Sequence, residues 1–67
     1  MNSNILATAA SKEELEKKIN KYYFSSNYFI NDSNEVENRA KNKVLDTVKI
    51  VVDGHRWKFE RVNTNNN

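Results

Sequence analysis

Few side chains in this sequence could do covalent chemistry, and their spacing does not favour it. His55 is the single histidine and there is no cysteine. Acid–base or nucleophilic catalysis by His55 needs a positioned partner in a cleft, and a histidine beside the turn sequence Asp53-Gly54 has none that the sequence can name. Gly54 is the only glycine, so a glycine-rich phosphate loop is excluded. Glu13, Glu14 and Glu16 lie close in sequence, but on a helix they point around the axis, and one histidine cannot build a metal site alone. The expectation is a protein that is not an enzyme, with no metal, cofactor or small-molecule substrate.

Binding chemistry is better supplied. Residues 1–38 hold four Lys and six acids, while residues 39–67 hold seven Lys or Arg and three acids. The modest net charge of +2 therefore hides a basic second half, which can steer a polyanion or can simply be a solvated face. Arg39, Lys41 and Lys43, followed by Lys49, Arg56 and Lys58, are the candidate phosphate contacts. Nucleic acid, or a protein that handles it, is the first partner they suggest, although no RNP pair or zinc-finger spacing is present. The second candidate set is aromatic. Tyr22, Phe24, Tyr28 and Phe29, with Tyr23, crowd into eight positions, more than a small core can bury. Exposed rings of this kind suit a protein-binding adaptor or inhibitor, or a homodimer.

The elements that must position these residues follow from the hydrophobic pattern. Ser11-Lys12-Glu13-Glu14 is a capping box, in which the Ser11 hydroxyl meets the Glu14 amide and the Glu14 carboxylate reaches back to the Ser11 amide. Leu15, Ile19, Tyr22 and Tyr23 then form one helical stripe, supported by Glu13–Lys17 and Glu14–Lys18 pairs four residues apart. Phe24 falls opposite the stripe, so the helix ends near Tyr23 and Ser25-Ser26-Asn27 makes the turn. Ile5 to Ala9 is a weak strand candidate. Tyr28-Phe29-Ile30 reads as a strand bounded by Asn31-Asp32-Ser33-Asn34.

Residues 35–46 read either as a second helix or as a further strand. The pairs Glu35–Arg39 and Glu37–Lys41, the shared face of Val36, Ala40 and Val44, and an Asp32/Glu35 capping box tilt the reading to helix. The many asparagines suit turns instead. Asp53-Gly54 between alternating runs predicts a 45–52/55–62 hairpin with a type I′ turn. Val52 then faces His55, Ile50 faces Trp57 and Val48 faces Phe59. The rings turn inward, with Lys49, Arg56 and Lys58 on the opposite face.

The fold class expected is α+β: an N-terminal amphipathic helix packed on a small antiparallel sheet. Residues 1–67 form one domain, with mobile ends at about 1–4 and 63–67. A chain this short buries only ~60% of its unfolded surface and here lacks both disulfide and metal support. The expected core is Leu15, Ile19, Tyr22, Tyr23, Ile30, Val48, Ile50, Trp57 and Phe59. No apolar run approaches the ~20 residues of a membrane span, and no signal peptide is evident, so a soluble cytoplasmic protein without membrane partners is expected.

Overall fold

The computed structural model describes residues 4–62, and the expectations for residues 1–3 and 63–67 lie outside that range. Seven elements follow in order: β1 (Ile5–Ala9), α1 (Lys12–Tyr23), β2 (Tyr28–Ile30), β3 (Val36–Asn38), β4 (Lys43–Val44), β5 (Val48–Asp53) and β6 (Arg56–Arg61). They make an α+β fold of one helix and two three-stranded antiparallel sheets, β1-β6-β5 and β2-β3-β4. The Asn4 carbonyl accepts the Arg61 N–H at 2.7 Å.

The helix forms where the pattern places it. Ser11 Oγ accepts the Glu14 N–H at 3.2 Å, although the Glu14 carboxylate accepts from Ala10 N–H at 3.4 Å rather than from Ser11. Phe24 follows the last turn in the left-handed region, φ 52 and ψ 49. Ser25 N–H reaches Asn20 O and Phe24 N–H reaches Lys21 O, the paired bonds of a Schellman ending. None of the four expected Glu–Lys or Glu–Arg pairs forms. Lys58–Asp53 is the one ion pair among the described residues, and Lys18 instead donates to the Thr8 carbonyl at 2.7 Å.

Residues 35–46 take the strand alternative, against the tilt to helix. Asparagine chemistry decides this. Asn31 Oδ1 accepts the N–H groups of Ser33 and Glu35, Asn34 N–H returns to Asn31 O, and Asn34 is left-handed at φ 58. The β2–β3 connection is thus a type I-like turn closed by a left-handed residue. Asn38 Oδ1 accepts the Lys41 N–H at 3.0 Å and Asn42 is left-handed at φ 54, which bends β3 into β4. These asparagines supply turns within a stretch whose apolar and charged residues are spaced as on a helix.

The C-terminal hairpin is present with its pairing moved by one residue on each strand. Asp53 pairs with Arg56, Val52 with Trp57, Ile50 with Phe59 and Lys49 with Glu60, so the loop is Gly54-His55 and not Asp53-Gly54. Gly54 has φ 61 while His55 is not left-handed, the sign pattern of a type II′ turn. The expected register would have set Lys49 across from Lys58, a destabilising like-charge pair. The observed one sets Lys49 across from Glu60 and Arg56 across from Asp53. A shift of this size keeps every side chain on its face except that His55 leaves the apolar row for the turn.

The core joins both sheets through the helix: Ala9, Leu15, Ile19, Ile30, Val36, Val48 and Phe59 are buried, with Leu6, Ala7, Tyr23, Tyr28, Leu45, Ile50 and Trp57 packed around them. Tyr22 is at the rim, 45% exposed, its ring edge-to-face with Phe59 at a centroid separation of 5.5 Å. Trp57 is only half-buried.

Candidate functional site

The six candidate cations fall on two different sheets. Arg39, Lys41 and Lys43 occupy the turn and first residue of the β3–β4 hairpin, all exposed. Their backbone is held by the buried Asn38 side chain and by left-handed Asn42. The Arg39 guanidinium lies over the Phe29 ring at 4.6 Å from its centroid, a contact worth ~0.5–1 kcal/mol at an exposed site. Arg39, Lys41 and Lys43 make no ion pair among the described residues. Behind the turn is a cleft of about 190 Å³ whose walls include Tyr28, Asn38, Lys41, Lys43, Asp46 and Thr47.

Lys49, Arg56 and Lys58 share the outer face of the β1-β6-β5 sheet, as the phasing requires. There they are interleaved with carboxylates. Lys49 stands opposite Glu60 and Arg56 opposite Asp53, and Lys58 Nζ lies 3.9 Å from Asp53 Oδ2. The Lys58–Asp53 contact is long and its carboxylate is exposed, so it contributes little to stability. The effect of the carboxylates is to cancel much of the field this face would present.

The aromatic candidates do not form one surface. Strand alternation sends Tyr28 and Phe29 to opposite faces of β2. Tyr28 turns inward and stacks on Tyr23, centroids 4.3 Å apart, while Phe29 turns outward beneath Arg39. Tyr22 meets Tyr23 edge-on at 4.9 Å. Burial, with Tyr22 and Tyr28 adding to it, pushes the Tyr23 hydroxyl above its ordinary pKa of 10.0. Phe24 alone is bare, 95% exposed, at the rim of an open groove with Lys17, Lys21 and Ser25.

Two positioning residues escaped the sequence reading. Asn20 on α1 donates to the Tyr28 carbonyl at 2.9 Å and accepts the Tyr28 N–H at 2.8 Å. Glu16 accepts the Ile30 N–H at 2.8 Å. Together they replace the strand that would otherwise pair with β2. Nothing local in the sequence distinguishes them from polar residues on a solvated helix face. No family model matches the chain, and no curated protein or solved structure compared with it gives a match. Among the described residues no helix is long and apolar enough to cross a membrane.

Proposed function

We propose that this chain is a non-catalytic, cytoplasmic binding module whose β3–β4 turn holds the phosphate backbone of a single-stranded nucleic acid. The observation that carries the reading is the concentration of Arg39, Lys41 and Lys43 on one exposed turn without ion-pair partners among the described residues. Phosphate neutralisation supplies most non-specific affinity for nucleic acid, and three unpaired cations on a fixed turn are arranged to do it. The guanidinium plane of Arg39, ordered on Phe29, adds a surface on which an unpaired base can stack. Lys49, Arg56 and Lys58 play the minor part, because carboxylates stand among them.

Binding of a labelled single-stranded oligonucleotide tests this. With three phosphate contacts, log K should fall against log salt with a slope of about −2, against about −2.7 on a duplex. The triple variant R39A/K41A/K43A should lose binding at low salt, while K49A/R56A/K58A keeps most of it. If the turn variant binds as tightly as the wild type, the reading is wrong.

A protein partner docking on Phe24 is the second reading, favoured by the exposure of that ring at a backbone position that suits glycine. It predicts that Phe24→Gly abolishes partner binding in a protein that stays folded; unchanged binding would count against it.

A further inference from the structure

The strand edges of this molecule are treated unequally. The outer edge of β2 is sealed by Asn20 and Glu16, and on β1 the Thr8 carbonyl is taken by Lys18. Among the described residues the outer edge of β5 has no such cover. Its hairpin closes on the pair Asp53–Arg56 beside a two-residue loop, and at the other end Val62 N–H bonds Thr47 O. In an antiparallel ladder hydrogen-bonded pairs alternate, so residues 47, 49, 51 and 53 bond to β6 and the backbone groups of residues 48, 50 and 52 face away from it. Among the described residues the outward groups of Ile50 and Val52 meet no hydrogen-bond partner.

Proteins usually blunt such an edge with lysine, proline, a bulge, inward charge or a covering segment, and of these β5 carries Lys49. The pairing of β5 with β6 runs without a bulge, and Val48-Lys49-Ile50-Val51-Val52 is β-branched at four of its five positions. Val48 is buried, but Ile50 and Val51 are half-buried and Val52 is 42% exposed. The accessible part of the edge is therefore residues 49–53.

We propose that this edge pairs with the same edge of a second copy of the chain, antiparallel about a two-fold axis through Val51. The backbone admits only registers that bring even-numbered residues of one copy opposite even-numbered residues of the other. With Val51 on the axis, Ile50 meets Val52 of the second copy twice, and each of these pairs exchanges both of its hydrogen bonds. The side chains agree with the backbone. Lys49 then stands opposite Asp53 of the second copy at both ends, and both residues are exposed. A register centred on Ile50 would draw the buried Val48 into the pairing and set Lys49 opposite Val51, which leaves the charges unmatched. Charge reciprocity about the axis thus selects a second copy over an arbitrary extended peptide. The Asp53 carboxylate, 3.9 Å from Lys58 and 77% exposed, is free to turn toward it. Five paired residues bury less than a standard interface, so the dimer is weak and dissociates on dilution. The β3–β4 turn takes no part, and the inference stands or falls apart from the nucleic-acid reading.

Sedimentation equilibrium of the full chain over roughly a hundredfold range of concentration, with amide exchange followed by NMR over the same range, tests the proposal. The mass should rise from monomer to dimer while the Ile50 and Val52 amides become protected. Val52→Pro removes an N–H that β6 does not use, and Val51→Lys sets two ammonium groups together on the axis. Each should weaken dimerisation at least ~10-fold without changing monomer melting. A wild type that stays monomeric throughout would overturn the proposal. So would a dimer that leaves those two amides exchanging freely, or folded variants that dimerise like the wild type. Should Val52→Pro fail to fold, the wild-type amides and Val51→Lys decide the matter.

Discussion

A phenylalanine at φ 52 and ψ 49 with its ring 95% exposed incurs two costs. The left-handed region disfavours an L-residue by roughly 1–2 kcal/mol, and an exposed ring recovers nothing by burial. Glycine at this position would relieve the backbone, although it gives back ~0.4–1 kcal/mol through the more flexible unfolded chain. Phe24→Gly should therefore stabilise the protein by about 0.5–1 kcal/mol in urea unfolding. A destabilised variant would mean that the ring has a packing role. Tyr23 makes a different prediction. Burial holds its hydroxyl protonated above the ordinary value of 10.0, so on raising the pH the unfolded chain releases this proton first. Stability from this group is intact below 10.0 and is lost as pH climbs toward the higher folded value. Thermal unfolding on both sides of that value should show a steeper alkaline loss in the wild type than in Tyr23→Phe; equal slopes would remove Tyr23 as the cause.

At the scale of elements, β2 depends on a helix for its second edge. Asn20 is half-buried and satisfies both an N–H and a C=O of Tyr28, so Asn20→Ala strands two backbone groups and should cost about 1–3 kcal/mol. Lys17→Ala, one turn away on the exposed face, should cost less than ~0.5 kcal/mol. Chemical denaturation of both variants checks this, and equal effects would mean that water replaces the Asn20 amide without loss. The same element shows why legibility in the sequence was uneven. The helix was readable because its cap, stripe and ending all agree, and the hairpin because apolar alternation fixes which face each residue takes. Its register was not read from the turn dipeptide, yet the charges held the answer: only the observed pairing sets Lys49 against Glu60 rather than Lys58. Residues 35–46 misled because the Val36, Ala40 and Val44 spacing and the Glu35–Arg39 and Glu37–Lys41 pairs suit a helix, while the asparagine turns that decide for strands act through local side-chain bonds. At the candidate site, the residue types were readable and their grouping was not. Splitting the cations between Arg39-Lys41-Lys43 and the carboxylate-studded face of β5 and β6 required knowing that residues 36–44 and 48–61 belong to two different sheets.

At the scale of the molecule, two small sheets have no strand in common and share one apolar centre. Phe59, on the central strand β6, is fully buried and meets Tyr22 and Tyr23 through ring edges at 5.5 and 6.0 Å. Tyr23 in turn stacks on Tyr28 of the other sheet. A 67-residue chain has a total stability of only about 3–10 kcal/mol at the usual ~0.05–0.15 per residue. Truncating a buried phenylalanine costs ~3–5 kcal/mol, and a chain without cysteine has no disulfide to make up the difference. Phe59→Ala should thus leave the protein at or past the edge of unfolding, and should do so for both sheets together, since the helix and the aromatic rings link them. Amide exchange reads this directly: in Phe59→Ala the β2 and β3 amides should lose protection along with those of β5 and β6, although no residue of β2 or β3 has been changed. Persistent protection in β2 and β3 would show two separately stable units. The cationic turn would then be carried by a sheet that folds without the rest.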